Sequence, residues 1–292
     1  MSHIEHLLAV QNSLGEGPIW SEEEQRLYWV DIDGQTFSRF DPAKGTREVF
    51  NVGLCIGVLA LRTRGGLVMV TEKGFAFWHE QSGLQMLADP EAENPHTRFN
   101  DGAVDSQGRF WAGTMCRLER QCPEPERSLY RLDRDGFLVV CQTEVFLANG
   151  IGWSPDDRTM YFTDTTRRTI YAYDFDSTTG AITNRRSFIR TAADAGFPDG
   201  LAVDSEGFLW SACWGAGKLI RYDPAGKRER ELLLPVAYPT SCAFGGQELD
   251  ALYITSARKA LSEQEKKRQT PDGDLSRVHI GIKGRPEPMF AG

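Results

Sequence analysis

The sequence predicts an all-β protein, folded as a six-bladed β-propeller. Its strand-forming runs are short, rich in Val, Ile, Tyr, Phe and Trp, and broken by glycine and by Asp-Pro and Asp-Gly turns, while helical signals are almost absent. A second observation is a repeated motif in which a turn glycine opens an apolar strand. Copies of this motif are 40 to 50 residues apart, and such a period with several strands per copy is typical of propeller blades.

The turn glycines mark the successive copies. The markers are Gly17, Gly57, Gly102, Gly150 and Gly200, with Cys242 at the same place in a sixth copy. The last copy is short of one strand, whereas residues 4–10 form an unassigned strand ahead of the first copy. We therefore expect the N-terminal strand to complete the C-terminal blade, because this pairing removes an exposed sheet edge.

The length predicts one domain spanning residues 1–292, since all-β domains of this size are common. Three segments interrupt the repeats and are expected to be loops of the kind that often cover sites: residues 117–127, 190–196 and 262–274. The last of these is rich in Lys, Glu and Gln, and its composition fits a short helix and a solvated loop equally well.

The charge balance argues against nucleic-acid and membrane partners. The chain has 41 acidic and 33 basic residues, a net charge of -8, and its Lys and Arg are dispersed. No signal peptide or membrane-spanning run is evident, so a cytoplasmic protein is expected, as a monomer or weak homo-oligomer. Six cysteines without a CxxC pair are expected to be free thiols.

Four copies of the motif place an acidic or amide side chain just before the marker: Glu16, Asp101, Asn149 and Asp199. The entrances of the innermost propeller strands converge on the central channel, so Glu16, Asn149 and Asp199 are candidate ligands for one divalent cation. Their oxygen atoms suit Ca²⁺, Mg²⁺ or Mn²⁺. The alternative is that they only form turns, because Asn-Gly and Asp-Gly are common turn sequences, although turn geometry alone does not favour glutamate at position 16.

Asp105 and Asp204 occupy equivalent positions further along their repeats. We expect these two carboxylates to fix the turns that contain Gly108 and Gly207. The five histidines share no spacing with a serine, so the sequence offers no support for a Ser-His-Asp triad.

The motifs, in order, closely resemble the SMP-30/gluconolactonase/luciferin-regenerating-enzyme family. They are Leu-Gly-Glu-Gly-Pro from residue 14, Arg-Phe-Asn-Asp-Gly from 98, Gly-Thr-Met from 113, Asn-Gly at 149, Pro-Asp-Gly from 198 and Thr-Ser-Cys-Ala-Phe-Gly-Gly from 240. The resemblance implies a six-bladed propeller that binds one divalent cation and hydrolyses a sugar-acid lactone.

The resemblance also assigns roles to individual residues. Glu16, Asn149 and Asp199 match the metal ligands, and Asp199 also matches the proposed catalytic base. Arg98 and Asn100 match the substrate-binding pair, which makes Asp101 a turn-forming residue. One departure concerns Leu118, which stands where animal members carry a substrate-contacting glutamate, so their sugar preference does not transfer.

The resulting hypothesis is metal-dependent hydrolysis of an aldonolactone, such as glucono-, galactono-, xylono- or arabinono-lactone. The cation is one of Ca²⁺, Mn²⁺, Mg²⁺, Zn²⁺ or Fe²⁺. Two routes for the attack stay open: Asp199 takes the proton of water, or a hydroxide held on the cation attacks directly. The alternatives in function are a non-catalytic calcium-binding or ligand-binding propeller and a hydrolase of another ester class.

Overall fold

The computed structural model describes residues 3–118, 127–268 and 270–292, and nearly all of its regular structure is β-strand. The first twelve strands are β1 (Ile4–Leu8), β2 (Gly15–Ser21), β3 (Arg26–Asp31), β4 (Thr36–Asp41), β5 (Thr46–Asn51), β6 (Ile56–Leu61), β7 (Leu67–Thr71), β8 (Gly74–His79), β9 (Gly83–Ala88), β10 (Thr97–Val104), β11 (Phe110–Cys116) and β12 (Arg127–Leu132). The remainder are β13 (Leu138–Val145), β14 (Ala148–Trp153), β15 (Thr159–Asp164), β16 (Thr169–Asp176), β17 (Ala181–Arg190), β18 (Phe197–Val203), β19 (Leu209–Trp214), β20 (Lys218–Tyr222), β21 (Arg228–Leu233), β22 (Pro239–Gly245), β23 (Ala251–Ser256) and β24 (Leu275–His279).

The strands form six four-stranded sheets. Five sheets follow the chain order, β2 to β5, β6 to β9, β10 to β13, β14 to β17 and β18 to β21, and the sixth has the order β1-β24-β23-β22. Every neighbouring pair within these sheets is antiparallel. Six such sheets are the blades of a six-bladed β-propeller, which confirms the predicted fold class.

The blades divide between two compact units. The first unit comprises Met1–Asn51 and Thr191–Pro286, and the second comprises Val52–Arg190 and Glu287–Gly292. The first unit holds the sheets that begin with β2, β18 and β22, and the second holds those that begin with β6, β10 and β14. Each unit has its own buried aromatic core, with Trp29 and Trp210 in the first and Trp111 and Phe290 in the second.

The N-terminal strand completes the last sheet, as the unpaired repeat predicted. Ile4 lies opposite Val278 and Glu5 opposite Arg277, whose guanidinium donates to the Glu5 carboxylate at 2.7 Å. The strand ends at Leu8 rather than at residue 10. A hydrogen bond of 2.8 Å between His6 Nε2 and Asp274 Oδ2 also holds β1 to the segment just before β24.

The predicted turn aspartates each hold a turn and also anchor a buried side chain. Asp105 Oδ1 accepts from the backbone N–H groups of Gln107 and Arg109, and Asp105 Oδ2 accepts from Trp111 Nε1 at 2.9 Å. Asp204 repeats this arrangement with Trp210 Nε1 at 3.0 Å. Each buried carboxylate is further paired with an arginine, Arg109 or Arg221, so its charge is compensated inside the sheet.

The segments between strands differ in structure. Residues 262–274 contain the helix α1 (Glu263–Lys266), which begins with a capping box between Ser262 and Glu265. Residues 190–196 include one short 3₁₀ turn, Ala193–Ala195. Most of segment 117–127 lies outside the described residues. No helix in the described ranges is long and apolar enough to cross a membrane.

The expectation that all cysteines are free thiols is wrong for Cys116, which is disulfide-bonded. The other described cysteines, Cys55, Cys141, Cys213 and Cys242, are not in disulfide bonds, and the sixth, Cys122, lies outside the described residues. Sequence spacing alone carried no signal for the bond, because pairing depends on which segments the fold brings together.

Candidate metal and substrate site

The first strand of each sheet carries an irregularity in register next to the sequence marker. The shifts lie between Glu16 and Ile19, Ile56 and Val58, Phe99 and Gly102, Asn149 and Ile151, Pro198 and Leu201, and Pro239 and Ser241. A β-bulge bends the strand locally and re-aims the side chains beside it. The candidate ligands and Asn100 therefore lie at or within these interruptions, whereas Arg98 lies just before the one in β10.

In the first unit the two candidate carboxylates are buried. Glu16 on β2 is 6% exposed and Asp199 on β18 is 5% exposed. Glu16 Oε2 accepts a hydrogen bond of 2.9 Å from the backbone N–H of Gly17, whose φ of 50° belongs to the left-handed region that suits glycine. Buried carboxylates need compensating partners, and a cation is one such partner.

Two adjacent residues on β22, a threonine and a serine, contact the strands that carry these carboxylates. Thr240 Oγ1 donates to the carbonyl oxygen of Gly15 at 2.6 Å, immediately before Glu16. Ser241 packs so closely against Gly200, the residue after Asp199, that a Cβ at position 200 would collide with the serine side chain. These two contacts set the positions of β2 and β18 against β22, and sequence reasoning had given neither side chain a role.

In the second unit, hydrogen bonds connect three of the predicted residues. Arg98 Nη1 donates to Asn100 Oδ1 at 2.9 Å, and Asn100 Nδ2 donates to Asn149 Oδ1 at 2.9 Å and to the Ala148 carbonyl at 2.8 Å. Asn100 and Asn149 are 7% and 4% exposed. The candidate substrate pair is thus joined directly to the candidate ligand Asn149.

Thr165 completes this chain of hydrogen bonds, and the sequence gave no signal for it. Asn149 Nδ2 donates to Thr165 Oγ1 at 2.8 Å, which fixes the orientation of the amide. The amide oxygen Oδ1 accepts from Asn100, and because an amide oxygen has two lone pairs, it can also bind a cation.

Asp101 follows Asn100 within the bulge of β10. Its Oδ1 accepts from the Gly102 backbone N–H at 2.7 Å, the same local bond that Glu16 makes to Gly17. Burial raises the pKa of Asp101 to about 6. A carboxyl group that titrates near neutrality thus lies next to the candidate substrate contact.

Cys213 lies across the sheet from Pro198 and so comes close to Asp199. Burial raises the pKa of the Cys213 thiol to about 12. Because the thiolate is the nucleophilic form, burial disfavours a nucleophilic role for this cysteine.

Arg117 and Leu118 begin the loop where the sequence departs from the animal members of the family. Arg117 Nη1 donates to Glu72 Oε2 at 2.6 Å, and Arg117 Nε donates to the carbonyl of Thr97, so this arginine holds the start of β10. Leu118 is 58% exposed.

The donor chemistry fits a hard divalent cation. Two carboxylates, Glu16 and Asp199, and the amide oxygen of Asn149 offer only oxygen, the ligand type that Ca²⁺, Mg²⁺ and Mn²⁺ prefer. Over the residues that the structure describes, no cluster of three or more His, Cys, Asp or Glu side chains could hold a metal.

Comparison with known proteins agrees with the motifs. Residues 14–258 match the family described as the SMP-30/Gluconolactonase/LRE-like region. The chain is 38% identical over 295 residues to regucalcin from Xenopus laevis, with 99% of this chain and 98% of the relative covered. It is 35% identical over 281 residues to "Putative sugar lactone lactonase YvrE" from Bacillus subtilis (strain 168), with 96% and 95% covered.

A solved structure extends the likeness to the whole fold. The calcium-binding protein regucalcin from Agrobacterium tumefaciens superposes with a TM-score of 0.93 at 28% identity, covering 100% of this chain and 98% of that chain.

Proposed function

Because this chain belongs to the SMP-30/gluconolactonase/LRE-like family, we propose that it hydrolyses a sugar-acid lactone with the help of one divalent cation. The family match spans the site segments of both units, and one relative is named as a sugar lactone lactonase. The proposed ligands are Glu16, Asn149 and Asp199, the proposed substrate contacts are Arg98 and Asn100, and the proposed base is Asp199.

The observation that carries the proposal is the series of side-chain hydrogen bonds from Arg98 through Asn100 to Asn149. A protein that only binds calcium has no need to connect a guanidinium, through Asn100, to one of its ligands. An enzyme that aligns a substrate against a cation does, because catalysis depends on holding the reacting groups in a fixed relative position.

The site residues then have defined tasks. Arg98, held by the Phe99 carbonyl at 2.8 Å and by Asn100, donates hydrogen bonds to the oxygens of the lactone. Asp199 accepts the proton of the attacking water. A divalent cation at this site would polarise the ester carbonyl and stabilise the negative charge that develops on its oxygen.

The bonds made and broken balance without a further reactant. The oxygen of water bonds to the carbonyl carbon while its proton moves to Asp199. The ring C–O bond then breaks, and the leaving ring oxygen takes up the proton as a hydroxyl group. The product is the open aldonic acid, which releases one proton to solvent near neutral pH.

A second candidate function is calcium binding without catalysis. It is favoured by the neighbour named as a calcium-binding protein and by the relatives named regucalcin. Both functions require the cation, so metal binding alone does not separate them. Turnover of a lactone separates them, because only the enzyme would hydrolyse it faster than the spontaneous reaction.

The test is proton release from metal-stripped protein to which each cation is restored separately. D-glucono-, D-galactono-, D-xylono- and L-arabinono-lactone serve as substrates, and spontaneous opening of each lactone is subtracted. We expect at least one combination to exceed the spontaneous rate clearly. We also expect Arg98→Ala to lower kcat/KM by roughly tenfold or more, since a charged hydrogen bond to substrate is lost. If no combination is active while calcium binds tightly, calcium binding without catalysis is the better account.

A further inference from the structure

Three aromatic side chains in the first unit have no part in the function proposed above: one on β18, the strand that carries Asp199, one at the end of β19 and one just before β22. Phe197 precedes Asp199 by two residues on β18 and is 38% exposed. Trp214 and Tyr238 are only partly buried. In the same unit Trp20, Trp29 and Trp210 are exposed by 2% or less, so the fold can bury such rings, yet leaves these three accessible.

The three rings form one group, which we call the aromatic wall. Phe197 lies directly opposite Trp214 in the antiparallel pair of β18 and β19. The rings of Trp214 and Tyr238 are 4.9 Å apart at 55°, which is a favourable contact geometry for aromatic pairs. The wall thus continues from the strand that carries Asp199 to the segment that leads into Thr240.

The backbone around the wall is fixed. Gly217 donates to the Ala237 carbonyl at 3.2 Å, and Leu234 donates to the Gly217 carbonyl at 2.8 Å, so the loop after Trp214 is tied to the segment before Tyr238. Asp272, which is 2% exposed, accepts from the Ala237 N–H at 2.7 Å and the Tyr238 N–H at 3.4 Å.

This construction is typical of a binding surface. Accessible aromatic rings keep apolar area in water, so a group of them held on a rigid backbone indicates a ligand that covers them. Small-molecule sites are lined mostly by apolar and aromatic side chains, with a few polar groups that fix the orientation of the ligand. Asp199 supplies such a polar group at one end of the wall.

We propose that Phe197, Trp214 and Tyr238 bind the substrate by packing against the C–H face of a lactone ring. This inference rests on the proposed lactonase function and adds the residues that recognise the lactone ring. A cyclic aldonolactone has hydroxyl groups at its edge and C–H bonds across its faces, so an aromatic ring can cover one face while the ester carbonyl stays free for polar contacts. An open-chain ester offers no such face.

The experiment measures binding and turnover separately. Wild type, Trp214→Leu, Trp214→Phe and Tyr238→Ala are compared with D-glucono-lactone as substrate and with the corresponding D-glucono-lactam, which resists hydrolysis, as a ligand in calorimetry. We expect Trp214→Leu and Tyr238→Ala to raise KM and the lactam Kd by roughly three- to tenfold, with kcat changed less than twofold. Trp214→Phe keeps a ring face and should restore most of the affinity.

The control variant is Phe137→Ala, which removes a 71% exposed aromatic ring in the second unit and should leave both constants unchanged. Lactam affinity within twofold of wild type in Trp214→Leu and Tyr238→Ala, with intact circular dichroism, overturns the aromatic wall. A wild type that binds the lactam but opens no lactone instead overturns the proposed catalysis, and the wall is then still judged by the Kd values. If the wild type neither binds the lactam nor opens a lactone, both the aromatic wall and the proposed catalysis are overturned.

Discussion

The side chain of Asn100 donates to the side-chain oxygen of Asn149 at 2.9 Å, although the two residues belong to different sheets. The sequence predicted different tasks for them, substrate contact for one and metal binding for the other. Since one hydrogen bond joins them, a change in either residue must affect the other. Substrate binding and metal binding are therefore expected to be coupled.

The first prediction concerns Thr165, which contacts this pair through Asn149. Thr165→Val removes the acceptor of the Asn149 N–H, so the amide is then oriented less firmly, by its hydrogen bond from Asn100. Partners that orient a ligand typically account for a factor of 10 to 100 in metal affinity, so we expect calcium or manganese affinity to fall about tenfold in calorimetry. Thr165→Ser retains the hydroxyl and should bind the cation nearly normally.

A neighbouring threonine provides the matched control. Thr163 lies opposite Asn149 in the register of β14 and β15, is fully buried, and its hydroxyl has no hydrogen-bond partner among the described residues. Thr163→Val should therefore leave metal affinity unchanged. Equal losses in Thr163→Val and Thr165→Val would mean that packing in the sheet, not the orientation of Asn149, controls the affinity.

The second prediction concerns the charge of Glu16. Glu16→Gln keeps the side-chain shape and an oxygen that can accept from Gly17, but it removes one of the two charges proposed to bind the cation. We expect calorimetry to show metal affinity at least tenfold weaker, because affinity for hard cations depends on the number of charged ligands. Glu22→Gln, at an exposed position close in sequence, is the control. Unchanged binding in Glu16→Gln would return this residue to the role of a turn former.

The third prediction separates metal binding from catalysis. Asp199→Asn retains an oxygen ligand but cannot accept a proton. Turnover of the best lactone should then fall at least the roughly 100-fold typical of a lost general base, measured at saturating metal. Near-normal turnover of a variant shown to be metal-loaded would exclude Asp199 as the base.

Sequence repetition was sufficient to predict the six sheets and the pairing of the N-terminal strand with the last one. It also singled out Glu16, Asn149 and Asp199 as candidate ligands, because four of the copies carry an acidic or amide residue directly before the marker glycine. The repeat could not reveal Thr165 or Thr240. Their partners, Asn149 and Gly15, are distant in sequence and are brought near only by strand register or by packing between sheets. The aromatic wall was missed for the same reason, since Phe197, Trp214 and Tyr238 come from three separate segments.

The last prediction uses the pH dependence of stability. Burial raises the pKa of Asp101 to about 6 in the folded protein, whereas an exposed aspartate titrates near 4. Between these values the folded state holds the proton more tightly than the unfolded state, so the contribution of Asp101 to stability falls as the pH rises from about 4 to about 6. Asp101→Asn does not titrate and escapes this loss.

The variant and the wild type should therefore have similar stability at pH 4, and the variant should become more stable by up to about 3 kcal/mol above pH 6, since one pKa unit corresponds to about 1.4 kcal/mol. Urea unfolding of metal-free protein at pH 4, 5, 6 and 7 measures the difference. Val140→Thr, at an exposed position and without a titratable group, should differ from the wild type by the same amount at every pH. If Asp101→Asn also shows a pH-independent difference, the buried carboxyl of Asp101 is not the group that titrates, and its place beside Asn100 has no electrostatic consequence for folding.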